Sequence, residues 1–117
     1  MAAGENKLEV CSMDLAVHVL RFTERCKGHY ALINQLERSA TSIGANIREA
    51  KYAHGRADFI AKLQIALKEC YETEYWLELL RRAELFDQDH SQALLRECGS
   101  LRRMLVASVT TAKNHSK

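Results

Sequence analysis

The residues able to do chemistry in this chain are five histidines, four cysteines and a scatter of carboxylates and arginines across 117 residues. A di-metal centre inside a helical bundle needs Glu-x-x-His pairs on two helices, and no glutamate here has a histidine three residues on. His29, His54, His90 and His115 fall at expected helix ends and loops, and only His18 lies within a helix. Cys11, Cys26, Cys70 and Cys98 form no C-x-x-C pair and sit at no zinc-ligand spacing from a histidine. They read as small hydrophobes in a reducing compartment. Glu72 and Glu74, two residues apart, lie on different sides of a helix and form no acid–base pair. No glycine-rich phosphate loop or G-x-S-x-G elbow occurs. The expectation is no enzyme, no catalytic residue, no metal and no cofactor.

The basic residues offer a different chemistry, attraction to a phosphate backbone. Arg81-Arg82 and Arg102-Arg103 are dibasic pairs, and Arg48, Lys51, Arg56, Lys62 and Lys68 make a looser run. An ordinary solvated face accounts for each set without any function. A net charge of +2 is too small to imply nucleic acid by itself. Repetition around an oligomer would change that, giving backbone-driven, strongly salt-dependent binding. Aromatic interleaving for base stacking is scarce.

A third set is polar and helical in its spacing: Gln35, Arg38, Ser42, Asn46 and Glu49. It runs beside the apolar row Ile33, Leu36, Ala40, Ile43, Ile47 and Ala50, whose alternation by three and four is a bundle seam. Residues 39 to 47 carry no charge. Ser42, Asn46 and Gly44 are mediocre or poor helix formers, so propensity did not select them. The expectation is a stretch enclosed on more than one side, by its own bundle and by a neighbouring subunit.

The elements that must position these groups are helices. A chain with no proline, rich in Ala, Leu, Glu and Arg, reads as all-α. The periodicity predicts helices over 8–26, 30–53, 58–85 and 91–113, with Asp58 capping the third and Asp89 or Ser91 the fourth. Short connections force antiparallel neighbours, so the fold class is an antiparallel up-down-up-down four-helix bundle, one domain over 1–117. With no apolar run approaching ~20 residues and no signal peptide at "MAAGENKLEV", a cytoplasmic protein without membrane contact is expected. The third helix is apolar on two sides. Phe59, Leu63, Ala66, Cys70, Leu77 and Leu80 suit a core, while Ile65, Trp76 and Leu79, with Tyr75 alongside, lie roughly opposite. A helix with two apolar sides needs two partners, which predicts an oligomer contact through Ile65, Tyr75, Trp76 and Leu79.

At these residues the chain resembles a known family, the small four-helix-bundle proteins encoded within intervening sequences of bacterial 23S ribosomal RNA genes. The family's helix-two pattern appears here as "QLERSATSIGANIRE", and its helix-three pattern as "IALKECYETEYWL". The likeness spans Tyr30 to Leu85. It departs from the family where Gly44 replaces the usual proline and Ala50 follows Glu49 in place of glycine. The resemblance implies a homo-oligomer in a ring-like assembly, a pentamer, with no established catalytic activity. Related bundles serve diversity-generating retroelements, which implies structured RNA or DNA and a polymerase-type protein as partners. The resemblance also gives the polar stripe a meaning: Arg38, Ser42, Asn46 and Glu49 with Glu72 and Glu74 form a network between helices or subunits that specifies register. Gly44 would let the second helix bend.

Overall fold

The computed structural model describes residues 6–115, and among them the regular elements are four helices in chain order. They are α1 (Lys7–Thr23), α2 (Tyr30–Lys51), α3 (Arg56–Arg82) and α4 (Gln88–His115). Successive helices pack side by side and α4 closes back on α1. The result is an all-α, up-down-up-down bundle measuring 47 × 26 × 21 Å.

Local chemistry sets the ends. Asn6 caps α1 through its side-chain oxygen, which accepts from the Glu9 N–H at 2.9 Å. α1 stops at Thr23, three residues short of the expected end, and Gly28 (φ 87°) with His29 (φ 52°) turns the chain into α2. Asp58 does not cap α3. The cap is Gly55, and Asp58 sits in the first turn, reaching back to accept the His54 N–H at 3.2 Å. Neither Asp89 nor Ser91 caps α4, because Asp87 accepts the His90 N–H at 3.0 Å and the helix starts earlier. At the other end of α3, Leu85 N–H reaches Leu80 O and Glu84 N–H reaches Arg81 O. That is a Schellman closure with the non-glycine Glu84 held at φ 56°.

The core gathers one apolar seam from each helix, and in α2 and α3 these are the seams read from the sequence, with Phe59 only partly buried. Leu15, Val19 and Phe22 of α1, Leu36, Ala40 and Ile43 of α2, Leu63, Ala66, Leu77 and Leu80 of α3, and Leu94, Leu101 and Leu105 of α4 are all buried. Thr73 fills the gap in the α3 seam between Cys70 and Leu77, its hydroxyl donating to Ser39 Oγ at 2.9 Å, with both groups inaccessible to solvent. α2 runs unbroken through Gly44. The glycine permits a close approach: a Cβ there would meet Ser12 Oγ of α1 at 3.2 Å.

Candidate functional site

Three surfaces carry the residues picked out above, and α2 borders two of them. On its α3 side, Arg38 reaches across to Glu69 (3.2 Å and 3.3 Å) and Glu72 of α3, with Gln35 Oε1 accepting from Arg38 Nε at 3.4 Å. Trp76 Nε1 donates to the same Glu72 oxygen at 3.0 Å. The hydrogen bond from Arg38, then that from Trp76, holds the Glu72 carboxyl below the usual carboxylate range. The same bonds raise the Arg38 guanidinium. This cluster joins α2 to α3.

The other members of the expected network go elsewhere. Ser42 Oγ donates to Arg38 O at 2.7 Å and Asn46 Nδ2 to Ser42 O at 2.9 Å, so both satisfy themselves on their own helix. Glu49 faces Lys62 at 3.4 Å. Glu74 pairs on the opposite flank of α3 with Arg102 of α4, at 2.7 Å. The sequence reading missed Glu69, whose side chain is 14 % exposed. Its position three before Glu72, on the same α3 face, was the available signal.

On its α1 side α2 borders an open groove. The groove holds about 390 Å³ and is lined by Met13, Ala16 and Val17 of α1 and by Thr41, Gly44 and Ala45 of α2. Val10, Met13, Val17 and Leu20 form an apolar row along α1, each 43 to 54 % exposed. They repeat by three, four and three, a second heptad row beside the buried one. The sequence reading did not single them out. At one end lies Glu9, whose side chain is 9 % exposed. Arg48 Nε stands 3.7 Å from its Oε2 and Lys51 Nζ 3.5 Å from its Oε1. Neither contact completes a hydrogen bond to Oε1, which has no hydrogen-bond partner.

The third surface is the outer side of α3. Ile65, Tyr75 and Leu79 are 40, 60 and 37 % exposed, and the Trp76 ring stacks edge-on against Tyr75 at 5.0 Å. Trp76 itself is half-buried against the core.

Most of the candidate phosphate-binding cations are engaged within the chain. Arg81 and Arg82 both bond Glu78 at 2.8 Å and hold its carboxyl down to about 2. Arg102 is committed to Glu74 and lies over the Tyr71 ring at 5.9 Å. Arg48 and Lys51 flank Glu9. Arg56 and Arg103 make no ion pair among the described residues. No three His, Cys, Asp or Glu side chains gather as a metal site among the described residues. Cys70 and Cys98 meet in the α3–α4 core with sulfurs 3.5 Å apart. The hydrogen bond to Cys70, then burial, pushes the Cys98 thiol far up, so Cys98 offers no thiolate at neutral pH. No helix is long and apolar enough to cross a membrane among the described residues.

Residues 6–107, which include both sequence motifs and the two flanks of α2, match the family described as 23S rRNA-intervening sequence protein. The chain belongs to this family. Among solved structures, a protein of unknown function from the S23 ribosomal protein family of Bacteroides thetaiotaomicron is 39 % identical, with a TM-score of 0.79. The alignment covers 87 % of this chain and 97 % of that one. No curated protein matches the chain. Neither the family's description nor the Bacteroides protein carries an activity, so membership fixes the fold and leaves the function to the surfaces.

Proposed function

We propose that this family member is a non-enzymatic scaffold that works as a homo-oligomer, assembled through the apolar surfaces of α1 and α3 into a ring-like particle. The observation that carries the reading is the α1–α2 groove, an apolar row exposed along one edge of the bundle. A monomer gains nothing from leaving such a row wet, and contiguous apolar surface of this kind marks association sites. Ion pairing of Arg48, Lys51, Arg81, Arg82 and Arg102 within the chain favours a scaffold over a dedicated phosphate binder.

One observation favours a second reading, binding of structured RNA or DNA by the assembled particle. The bundle's charge is uneven along its length. At the α2–α3 turn, the two outermost turns of each helix hold Lys7, Arg48, Lys51, Arg56, Lys62 and Lys113 against Glu9, Glu49 and Asp58. At the opposite end, connections included, Arg21, Arg25, Lys27, Arg81 and Arg82 are balanced by Glu24, Glu78, Glu84, Asp87 and Asp89. In a ring the basic ends of several copies would form one positive rim.

Light scattering on the purified protein, with absorbance at 260 and 280 nm, tests both readings. A mass of several chains supports the scaffold, and a monomer at every concentration overturns it. Excess 260 nm absorbance removed by raising the salt supports the positive rim. A clean 280 nm spectrum, with no retention of added RNA or DNA at low salt, removes the second reading.

A further inference from the structure

We infer that Cys70 and Cys98 form a redox clamp: a hydroperoxide that reaches the pair when α4 lifts from α3 leaves a disulfide that fastens the two helices together. The four cysteines are not alike. Cys26 donates to Phe22 O of its own helix at 3.4 Å, and Cys11 lies half-buried on α1. Cys70 and Cys98 come from different helices and are wholly inaccessible to solvent. Their sulfurs stand 3.5 Å apart, and each lies against the other residue's carbonyl oxygen, at 3.5 and 3.6 Å. That reciprocity sets the two residues opposite one another across the α3–α4 seam. A need for small apolar volume accounts for each cysteine singly, but it does not require the two sulfurs to face each other. A disulfide holds its sulfurs at about 2.0 Å, so the remaining approach is roughly 1.5 Å from the observed contact.

The closed bundle protects the pair. The hydrogen bond to Cys70, then burial, holds the Cys98 thiol far above its ordinary value, and the thiolate is the form that attacks a peroxide. Opening of α4 from α3 removes both causes, so the reaction follows the open population. There one cysteine thiolate attacks a peroxide oxygen and the O–O bond breaks. The sulfur is oxidised to a sulfenic acid, and the leaving oxygen takes up a proton, so that the peroxide is reduced to an alcohol or, from hydrogen peroxide, to water. Closure brings the second thiol against that sulfur. A sulfur–sulfur bond forms, the sulfur–oxygen bond breaks, and the departing hydroxide takes the thiol proton as water. The product joins α3 to α4 around residues 71–97 and restricts the opened and unfolded chain. A thiol reductant reverses it.

Hydrogen peroxide tests the clamp on the wild-type protein. The reduced chain is exposed to peroxide at neutral pH, with and without urea well below the unfolding midpoint. Catalase then stops the reaction, free thiols are alkylated in strong denaturant, and peptides are mapped without reduction. The expected product is a peptide pair linking Cys70 to Cys98, formed faster in urea and lost on adding dithiothreitol. The linked protein should unfold at a higher urea midpoint than the reduced one. If Cys70 and Cys98 are both recovered as alkylated thiols after Cys11 has been oxidised, the inference is overturned. A Cys98 carried on to sulfinic acid beside a free Cys70 overturns it too, as does a linked protein that unfolds at the reduced midpoint or below. A rate of linkage unaffected by urea overturns the opening step. Cys98→Ala leaves Cys70 without its partner and should show neither the linked peptides nor the rise in midpoint. A rise in that variant would trace the stabilisation to another residue and sink the clamp.

Discussion

The two flanks of α2 solve the same packing problem in opposite ways. Toward α3 the seam is roofed by long charged side chains, with Arg38 spanning to Glu69 and Glu72 and Trp76 bracing the latter. Toward α1 the corresponding outward positions are Thr41, Ala45 and a glycine, facing methionine and valine. An ion bridge laid over a seam also covers the aliphatic surface beneath it. Small residues cover nothing. One flank is covered within the chain and the other is left as an open groove, so the uncharged stretch from Ser39 to Ile47 is enclosed by its own bundle only in part.

Removing the roof should separate the two flanks most clearly. Arg38→Met keeps the aliphatic stem but leaves Glu69 and Glu72 side by side without their cation. The bridge is partly exposed, since the Arg38 side chain is 46 % accessible, so screening limits what it contributes. The expected loss is about 1–2 kcal/mol in urea denaturation. Arg38 already finds Gln35, Glu69 and Glu72 in its own chain, so the assembled mass should not change. The sequence left open whether this network joins helices or subunits, and an unchanged mass would place its role between helices. A variant with wild-type stability but altered mass would place it between subunits and break the contrast between the flanks.

The fold was legible because it rests on period alone. Every residue of the α2 seam, from Ile33 to Ala50, is buried where three-four spacing put it. Helix ends were less legible, since a cap depends on which of several nearby polar side chains bends back: Asp87 did so, and Asp89 did not. The polar stripe was half legible. Arg38 needed a carboxylate across the α2–α3 seam, and Glu72 supplied one, but Glu74 lies 200° round α3 from Glu72 at about 100° per residue and meets α4 instead. Serine and asparagine can satisfy themselves on their own backbone, so Ser42 and Asn46 gave no sign of a distant partner and have none among the described residues. The α1 row was visible as spacing, yet nothing local says which of two apolar rows on one helix faces inward.

The close approach on the open flank gives a smaller effect. Alanine at position 44 should gain about 1 kcal/mol in helix propensity, but its Cβ would press on Ser12 Oγ at 3.2 Å. Gly44→Ala alone should therefore realise only part of that gain. Combining it with Ser12→Ala removes the obstructing oxygen. The pair should exceed the sum of the single changes by about 0.5–1 kcal/mol. Strict additivity in the double-mutant cycle would mean that α1 slides freely away from α2, and that the groove is not a preformed shape.

The smallest effect is a difference in acid sensitivity, and it belongs to the roofed flank. The Glu72 carboxyl titrates below its ordinary value because Arg38 and Trp76 both bond its charged form. A group whose pKa is lower in the folded than in the unfolded chain binds fewer protons when folded. Its contribution is therefore complete above the unfolded value of 4.5 and is lost as the pH falls from there through the folded value. Arg38→Met removes the larger cause of the shift. Below pH 4.5 the variant should thus lose stability less steeply than the wild type, and the two curves should draw together toward low pH. Urea midpoints taken stepwise down from pH 5 measure the convergence. Parallel curves would mean that the charged form of Glu72 is not what the arginine stabilises.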